Sequence, residues 1–206
     1  KIRLATDKFY ELETILTNTQ QSAIVYVRNR KATLNTAHFL KGRGITATSY
    51  HGGMSREERH KQYLAWRTNK VQVMVGTSAF GMGIDKPDVR FVIHNDIPKS
   101  LEGYYQETGR GGRDDGEGIC LAFYQYKDIE KLEKFMKGKP VAEQEIGRQL
   151  LLETVAYAES GMCRRKQLLH YFGETYPKDN CGNCDNCKHP KERFEAQDDI
   201  VLALNA

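Results

Sequence analysis

Two short stretches of this chain carry residue types that do chemistry at telling spacings. The first is Cys-Gly-Asn-Cys-Asp-Asn-Cys, residues 181–187, with Cys163 upstream of it. Four thiolates with two-residue gaps can wrap a tetrahedral ion such as Zn²⁺, and the Gly and Asn residues between them tolerate tight turns. Iron–sulfur clusters are also built on four thiolates, so on spacing alone both metals stay open. The second is Gln-Glu-Thr-Gly-Arg-Gly-Gly-Arg-Asp, residues 106–114. Gly109, Gly111 and Gly112 leave Arg110 and Arg113 free to project. A guanidinium is planar, forked and always charged, which suits phosphate oxygens. An arginine that reaches a γ-phosphate from a neighbouring lobe stabilises transition-state charge. Asp114, Asp115 and Glu117 are close enough in sequence to pair with both arginines instead, and the residues alone leave the two readings level.

A third stretch, Val-Gly-Thr-Ser-Ala-Phe-Gly-Met-Gly-Ile-Asp from position 75, is a glycine-rich turn after an apolar run. Glycines at 81 and 83 let a backbone approach phosphates closely, and Asp85 can accept from a ribose hydroxyl. No GxxxxGK[ST] motif occurs in the 206 residues. The chain is therefore not expected to cradle a triphosphate by itself.

The elements that must position these residues follow from hydropathy patterning. Residues 1–21 read as an extended lead-in and a short helix. The apolar runs at 22–27, 45–50, 71–77, 89–95 and 118–124 read as strands. Between them lie helical patterns ending at Gly42 and Gly44, opening at Ser55 with Glu58 three residues on (a capping box), and running over 100–108. Strands alternating with helices across short connections predict a parallel sheet covered on both faces. Ligands then sit beyond the carboxyl ends of the strands. Arg28–Arg30, His51–Gly53, Thr77–Asp85 and Asn95 onward all follow strands, so they are expected along one edge. After Lys127 the pattern turns helical, with an apolar stripe at 146, 150, 151, 155 and 158, and a metal staple suits a module too small for a core of its own.

Composition bounds the rest. Hydrophobic residues make up 39%, charged residues 28% and the net charge is +4, a globular mixture that permits nucleic-acid binding without demanding it. No run of about 18 apolar residues is present, so no membrane partner is expected. Four of the five cysteines cluster late, which favours metal over disulfides and a reducing, intracellular setting: cytoplasm or nucleoid in a bacterium, otherwise nucleus. Cys120 reads as a small core residue. The chain opens at Lys1 in mid-pattern and is expected to be a piece of a longer protein.

Taken in order, residues 50–55, 75–90, 94–114 and 163–187 resemble the RecQ family of superfamily 2 helicases over roughly residues 1–190. The resemblance implies a second RecA-like lobe at 1–126, a helical zinc-binding domain at 127–190, and a linker with the start of a winged helix at 191–206. It implies a role in an ATP-dependent 3′-to-5′ DNA helicase that couples ATP hydrolysis to translocation on single-stranded DNA and to duplex unwinding in repair and recombination. Arg113 is then the arginine finger and Arg110 a sensor or second contact. Gln106, Gly83 and Asp85 join them at ATP. Arg28, Asn29, Arg30, His51, Gly52, Thr77 and Ser78 face DNA. Cys163, Cys181, Cys184 and Cys187 hold structural Zn²⁺. ATP and Mg²⁺ are shared with a first RecA-like lobe in cis that this chain lacks, so the chain alone is expected to be inactive. Further partners implied are partly duplex DNA and single-strand-binding or repair proteins. The alternatives are an RNA or other superfamily 2 translocase, and a non-catalytic nucleic-acid-binding module.

Overall fold

The computed structural model describes residues 1–81, 84–191, 196 and 201–203. Two compact units divide the chain, Lys1–Glu159 and Ser160–Ala206. The expected division at 126/127 follows a change of sequence texture, and it falls inside the first packed unit. The expected linker and winged-helix start at 191–206 lies outside the described residues, apart from 191, 196 and 201–203.

Among its described residues the first unit is built on six strands: β1 (Ile2–Leu4), β2 (Ser22–Tyr26), β3 (Ala47–Tyr50), β4 (Val73–Gly76), β5 (Val89–His94) and β6 (Ile119–Tyr124). They lie in the order β1-β6-β5-β2-β4-β3, and every pairing is parallel. The five expected strands are all present. The sixth, β1, is an edge strand too short and too exposed to show a hydrophobic period.

Strand β2 is central and buried throughout. Its side chains alternate between two cores, as the period of two requires. Ala23 and Val25 face the side covered by α1 (Lys8–Thr17) and α2 (Arg30–Gly42), where Leu12, Leu16, Ala37 and Leu40 pack. Ile24 and Tyr26 face the other side, covered by α3 (Arg56–Arg67) through Trp66. The buried Trp66 donates its indole N–H to the Ala23 carbonyl at 3.1 Å. Ser55 caps α3 as its sequence predicts: the Ser55 hydroxyl accepts from Glu58 N–H at 3.1 Å and the Glu58 carboxylate from Ser55 N–H at 2.9 Å.

The link from β4 to β5, residues 77–88, contains no assigned helix or strand among its described residues. It crosses the Trp66 side of the sheet and buries Phe80 and Ile84 there. Helix α4 (Leu101–Thr108) follows β5, with Ser100 accepting from Gly103 N–H at its start. Helices α5 (Tyr126–Met136) and α6 (Val141–Glu159) close the unit around Leu132, Leu151 and Ala158. The buried stripe of α6 begins at Leu151. Ile146, expected in that stripe, is 62% exposed, while the next residue, Gly147, faces Met136 of α5. Cys120 is partly buried in β6, and burial pushes its thiol pKa up.

The second unit carries α7 (Arg164–Tyr171) and α8 (Asp185–Lys188). Among the described residues no helix is long and apolar enough to cross a membrane.

Candidate functional site

Three of the predicted stretches meet at the carboxyl ends of β2, β3 and β4. The Arg30 guanidinium lies over Gly53, with Nη1 2.7 Å from where a Cβ would sit. The Cβ position of Gly52 is 4.0 Å from Ala79 Cβ. Thr77 N–H donates to Tyr50 O at 3.4 Å. So Arg30, His51, Gly52, Thr77 and Ser78 form one polar rim. The His51 Nδ1 within it is buried without a hydrogen-bond partner among the described residues. Asn29 belongs to the same rim, but its side-chain oxygen caps α2 by accepting from Ala32 N–H at 2.9 Å.

Arg28 is placed differently. Its Nη2 lies 3.8 Å from Asp96 Oδ1 and 3.8 Å from Asp128 Oδ1, and its backbone N–H donates to Asp96 Oδ2 at 3.2 Å. Lys8 Nζ reaches Asp128 Oδ2 at 2.7 Å and Asp96 Oδ1 at 3.5 Å. Asp128 is fully buried, and a buried carboxylate must be matched by cations. Arg28 therefore helps to neutralise charge inside the chain. Sequence reasoning missed this network because Lys8 and Asp128 stand far from Arg28 along the chain. A cleft of about 250 Å³ opens beside it, lined by Arg28, Ser78, Asp96, Lys99 and Glu107 among others.

The arginine loop is anchored at the opposite end of the sheet. Gly112 N–H donates to Val89 O at 2.9 Å and Arg113 N–H to Pro87 O at 3.1 Å, at the start of β5. Gly112 has φ +66°, and a Cβ there would collide with Gly116 O, so this turn requires glycine. Asp114 pairs with Arg90 through two bonds of 2.8 and 2.7 Å, which hold its carboxyl at about 2, well below the usual range. The loop's own acid is thus taken by an arginine outside the loop, and Arg113 is left for other work. Arg113 donates from Nε to Gly109 O at 3.1 Å and from Nη1 to Ile84 O at 3.2 Å, with Nη1 4.0 Å from Asp85 Oδ1. Its side chain is 41% exposed and that of Asp85 is 80% exposed. Two of five guanidinium N–H donors are used in these bonds, which leaves three.

Arg110 is buried, with Nη2 3.1 Å from the Cβ position of Gly81. Gln106 is exposed on α4. Gly83 lies outside the described residues. Lys86, which sequence reasoning passed over, is buried and bonds Asn69 Oδ1 at 2.8 Å and Asp88 Oδ1 at 2.8 Å. That contact pins the lower end of the crossover.

In the second unit the sulfur atoms of Cys163, Cys181, Cys184 and Cys187 all lie within 4.8 Å of one another. Cys187 Sγ lies 3.9 Å from Cys181 Sγ and 3.4 Å from Cys184 Sγ. Tetrahedral Zn–S bonds of ~2.3 Å put sulfurs about 3.8 Å apart. The donors therefore fit one zinc-sized ion, and an iron–sulfur cluster would need room for several irons and sulfides between them. Backbone N–H groups of Cys184 and Arg164 point at Cys181 Sγ (3.3 Å) and Cys184 Sγ (3.4 Å). Burial raises the Cys181 thiol, but backbone donors at Asn183 and Cys184 outweigh it and bring the thiol to about 6. Asn186 donates to Ser160 O and Met162 O at 2.7 Å each, and Arg164 pairs with Asp185 at 3.2 Å. These bonds tie Cys163 to the loop of the other three.

Comparison with known proteins agrees with this geometry. Residues 7–115, more than half of the chain, match the helicase conserved C-terminal domain, so the chain belongs to that domain class. Residues 126–188 match the RecQ zinc-binding domain. With the lobe and this domain in that order, the chain belongs to the RecQ family of superfamily 2 helicases. It is 40% identical over 204 residues to the ATP-dependent DNA helicase RecQ of Pasteurella multocida, covering 97% of this chain and 32% of that protein. It is 41% identical over 192 residues to the Haemophilus influenzae protein of the same name, covering 93% and 31%. The chain thus spans about a third of the length of these relatives. Among solved structures, the Escherichia coli DEAD-box protein SrmB, bound to regulator of ribonuclease activity A, superposes with a TM-score of 0.58 at 25% identity, over 69% of this chain and 91% of that one. A DEAD-box protein from Methanococcus jannaschii superposes at 0.57 and 23% identity, over 72% and 39%. These likenesses agree with the RecA-like parallel sheet described above.

Proposed function

We propose that this chain supplies the second motor lobe and zinc module of an ATP-dependent 3′-to-5′ DNA helicase of RecQ type. The observation that carries the reading is the state of Arg113: half exposed, fixed by two backbone carbonyls, beside an exposed Asp85, and not neutralised by the acids of its own loop. An arginine so prepared can present its remaining donors to the γ-phosphate of an ATP and Mg²⁺ held by a partner lobe in cis. Charge that develops on the transferred group would then meet a preorganised cation. Arg110, Gln106 and Asp85 flank that position.

The rim of Arg30, His51, Gly52, Thr77 and Ser78 is proposed to hold phosphates of single-stranded DNA, with little sequence preference. Zinc, when bound, cross-links Cys163 to the 181–187 loop and so holds the second unit folded. Repair proteins and partly duplex DNA are proposed partners, in an intracellular, reducing setting.

The test is ATP turnover with saturating single-stranded DNA on the full-length protein and its Arg113→Ala variant. Turnover is expected to fall on the order of 10²- to 10³-fold while nucleotide affinity holds. Unchanged turnover would remove Arg113 from the γ-phosphate. Stimulation by RNA in place of DNA would instead make the protein an RNA translocase.

A further inference from the structure

A buried polar chain runs between the 250 Å³ cleft and the crossover. It starts at Glu107, on the last turn of α4, whose carboxylate is 12% exposed on the cleft wall. Glu107 Oε2 meets Nε2 of His94, the last residue of β5, at 2.7 Å. The His94 ring stacks on Tyr26, its register partner at the end of β2, at 5.2 Å and 20°. The Tyr26 hydroxyl donates to Phe80 O at 2.9 Å and faces the Arg110 guanidinium. Arg110 in turn lies against Gly81, the residue after Phe80. Tyr26, Phe80, His94 and Arg110 are all at least nine-tenths buried.

The chain is not fully satisfied. His94 Nδ1 and Arg110 Nε are buried without hydrogen-bond partners among the described residues. Such orphaned atoms in a packed interior call for an explanation, and a polar network in a low-dielectric setting is coupled along its length. Tyr26 and Phe80 also belong to the core on the Trp66 side, but the polar contacts of His94, Glu107 and Arg110 are additional to that apolar packing.

We propose that Glu107 and His94 are positioning residues: acting through Tyr26, they set Arg110 against Gly81 and so fix the crossover that brings Ile84 and Asp85 to Arg113. This deepens the motor reading above and rests on it.

The test uses Glu107→Gln and Tyr26→Phe, each nearly isosteric, and their double variant in the full-length protein. Each single variant is expected to lower DNA-stimulated kcat about tenfold, with KM for ATP held within about twofold. The double variant is expected to be no worse than the worse single one, because the two act in series. Unchanged kcat, losses that multiply, or losses that track a fall in Tm would overturn the proposal. A second measurement stands apart from the motor reading. On this 206-residue chain, Glu107→Gln is expected to move the Arg110 Nε–H resonance. If the wild-type protein shows no DNA-dependent turnover, the motor reading fails, and the resonance still decides the positioning. A resonance that stays put overturns it.

Discussion

Arg28 and Arg30 are two residues apart and have separate fates. Arg30 lies over Gly53 on an open rim, whereas Arg28 is held between Asp96 and Asp128. Only a cation whose charge is free to meet phosphate contributes to counterion release, about 0.7 in the log–log salt slope per contact on single strands. Arg30→Ala is therefore expected to flatten the salt dependence of single-strand binding by roughly that amount. Arg28→Ala should leave the slope where it is and lower Tm, since it leaves buried carboxylate charge less well matched. Equal slopes for wild type and Arg30→Ala would remove Arg30 from the rim's phosphate contacts. A string of basic residues after a strand reads alike in sequence. What separates these two is Asp128, which only the folded chain brings to Arg28.

The arginine loop behaves as an element in its own right, held by Val89 O, Pro87 O and the Arg90–Asp114 pair. Hydrogen bonds from Arg90 lower the Asp114 carboxyl to about 2 in the folded state, from 3.8. A carboxyl depressed on folding adds stability above its unfolded pKa and loses it as pH falls toward the folded one. The difference in stability between wild type and Asp114→Asn should be constant above about pH 5 and shrink as pH drops from about 4 to 2. A difference that persists at pH 2 would show that the pair is not what holds the loop. The elements themselves were legible where local chemistry dictates them: the Ser55–Glu58 box, the buried run of β2, the glycine stops. Edge strand β1 has only three residues and shows no pattern. The crossover after β4 was legible as a glycine-rich turn, but not its anchorage, which depends on Lys86 meeting Asn69 across the fold. The cysteine quartet was fully legible, because thiolate spacing is itself the geometry of the site.

At the scale of the whole molecule, two units differ in what holds them. Lys1–Glu159 has apolar cores on both faces of its sheet, whereas the second unit is gathered around four sulfurs. The single Trp66 is fully buried in the first unit, so its fluorescence reports on that unit alone. A chelator is expected to reduce helical circular dichroism and release one metal ion per chain while Trp66 emission stays unchanged. Loss of the Trp66 signal together with the metal would mean that the sheet also depends on the ion. The order of the strands has a further consequence, for how this chain comes to be folded at all. β3 pairs with β4 and β5 with β6, each with its neighbour along the chain, while β2 alone joins the two halves. Every pairing among the described residues is parallel, so these strands offer no hairpin as a local nucleus. The seam on either side of β2 closes only after long loops have given up their entropy. The strand made earliest during synthesis among the long ones is thus the one that finds both partners last, and until it does, two half-sheets stand with open edges.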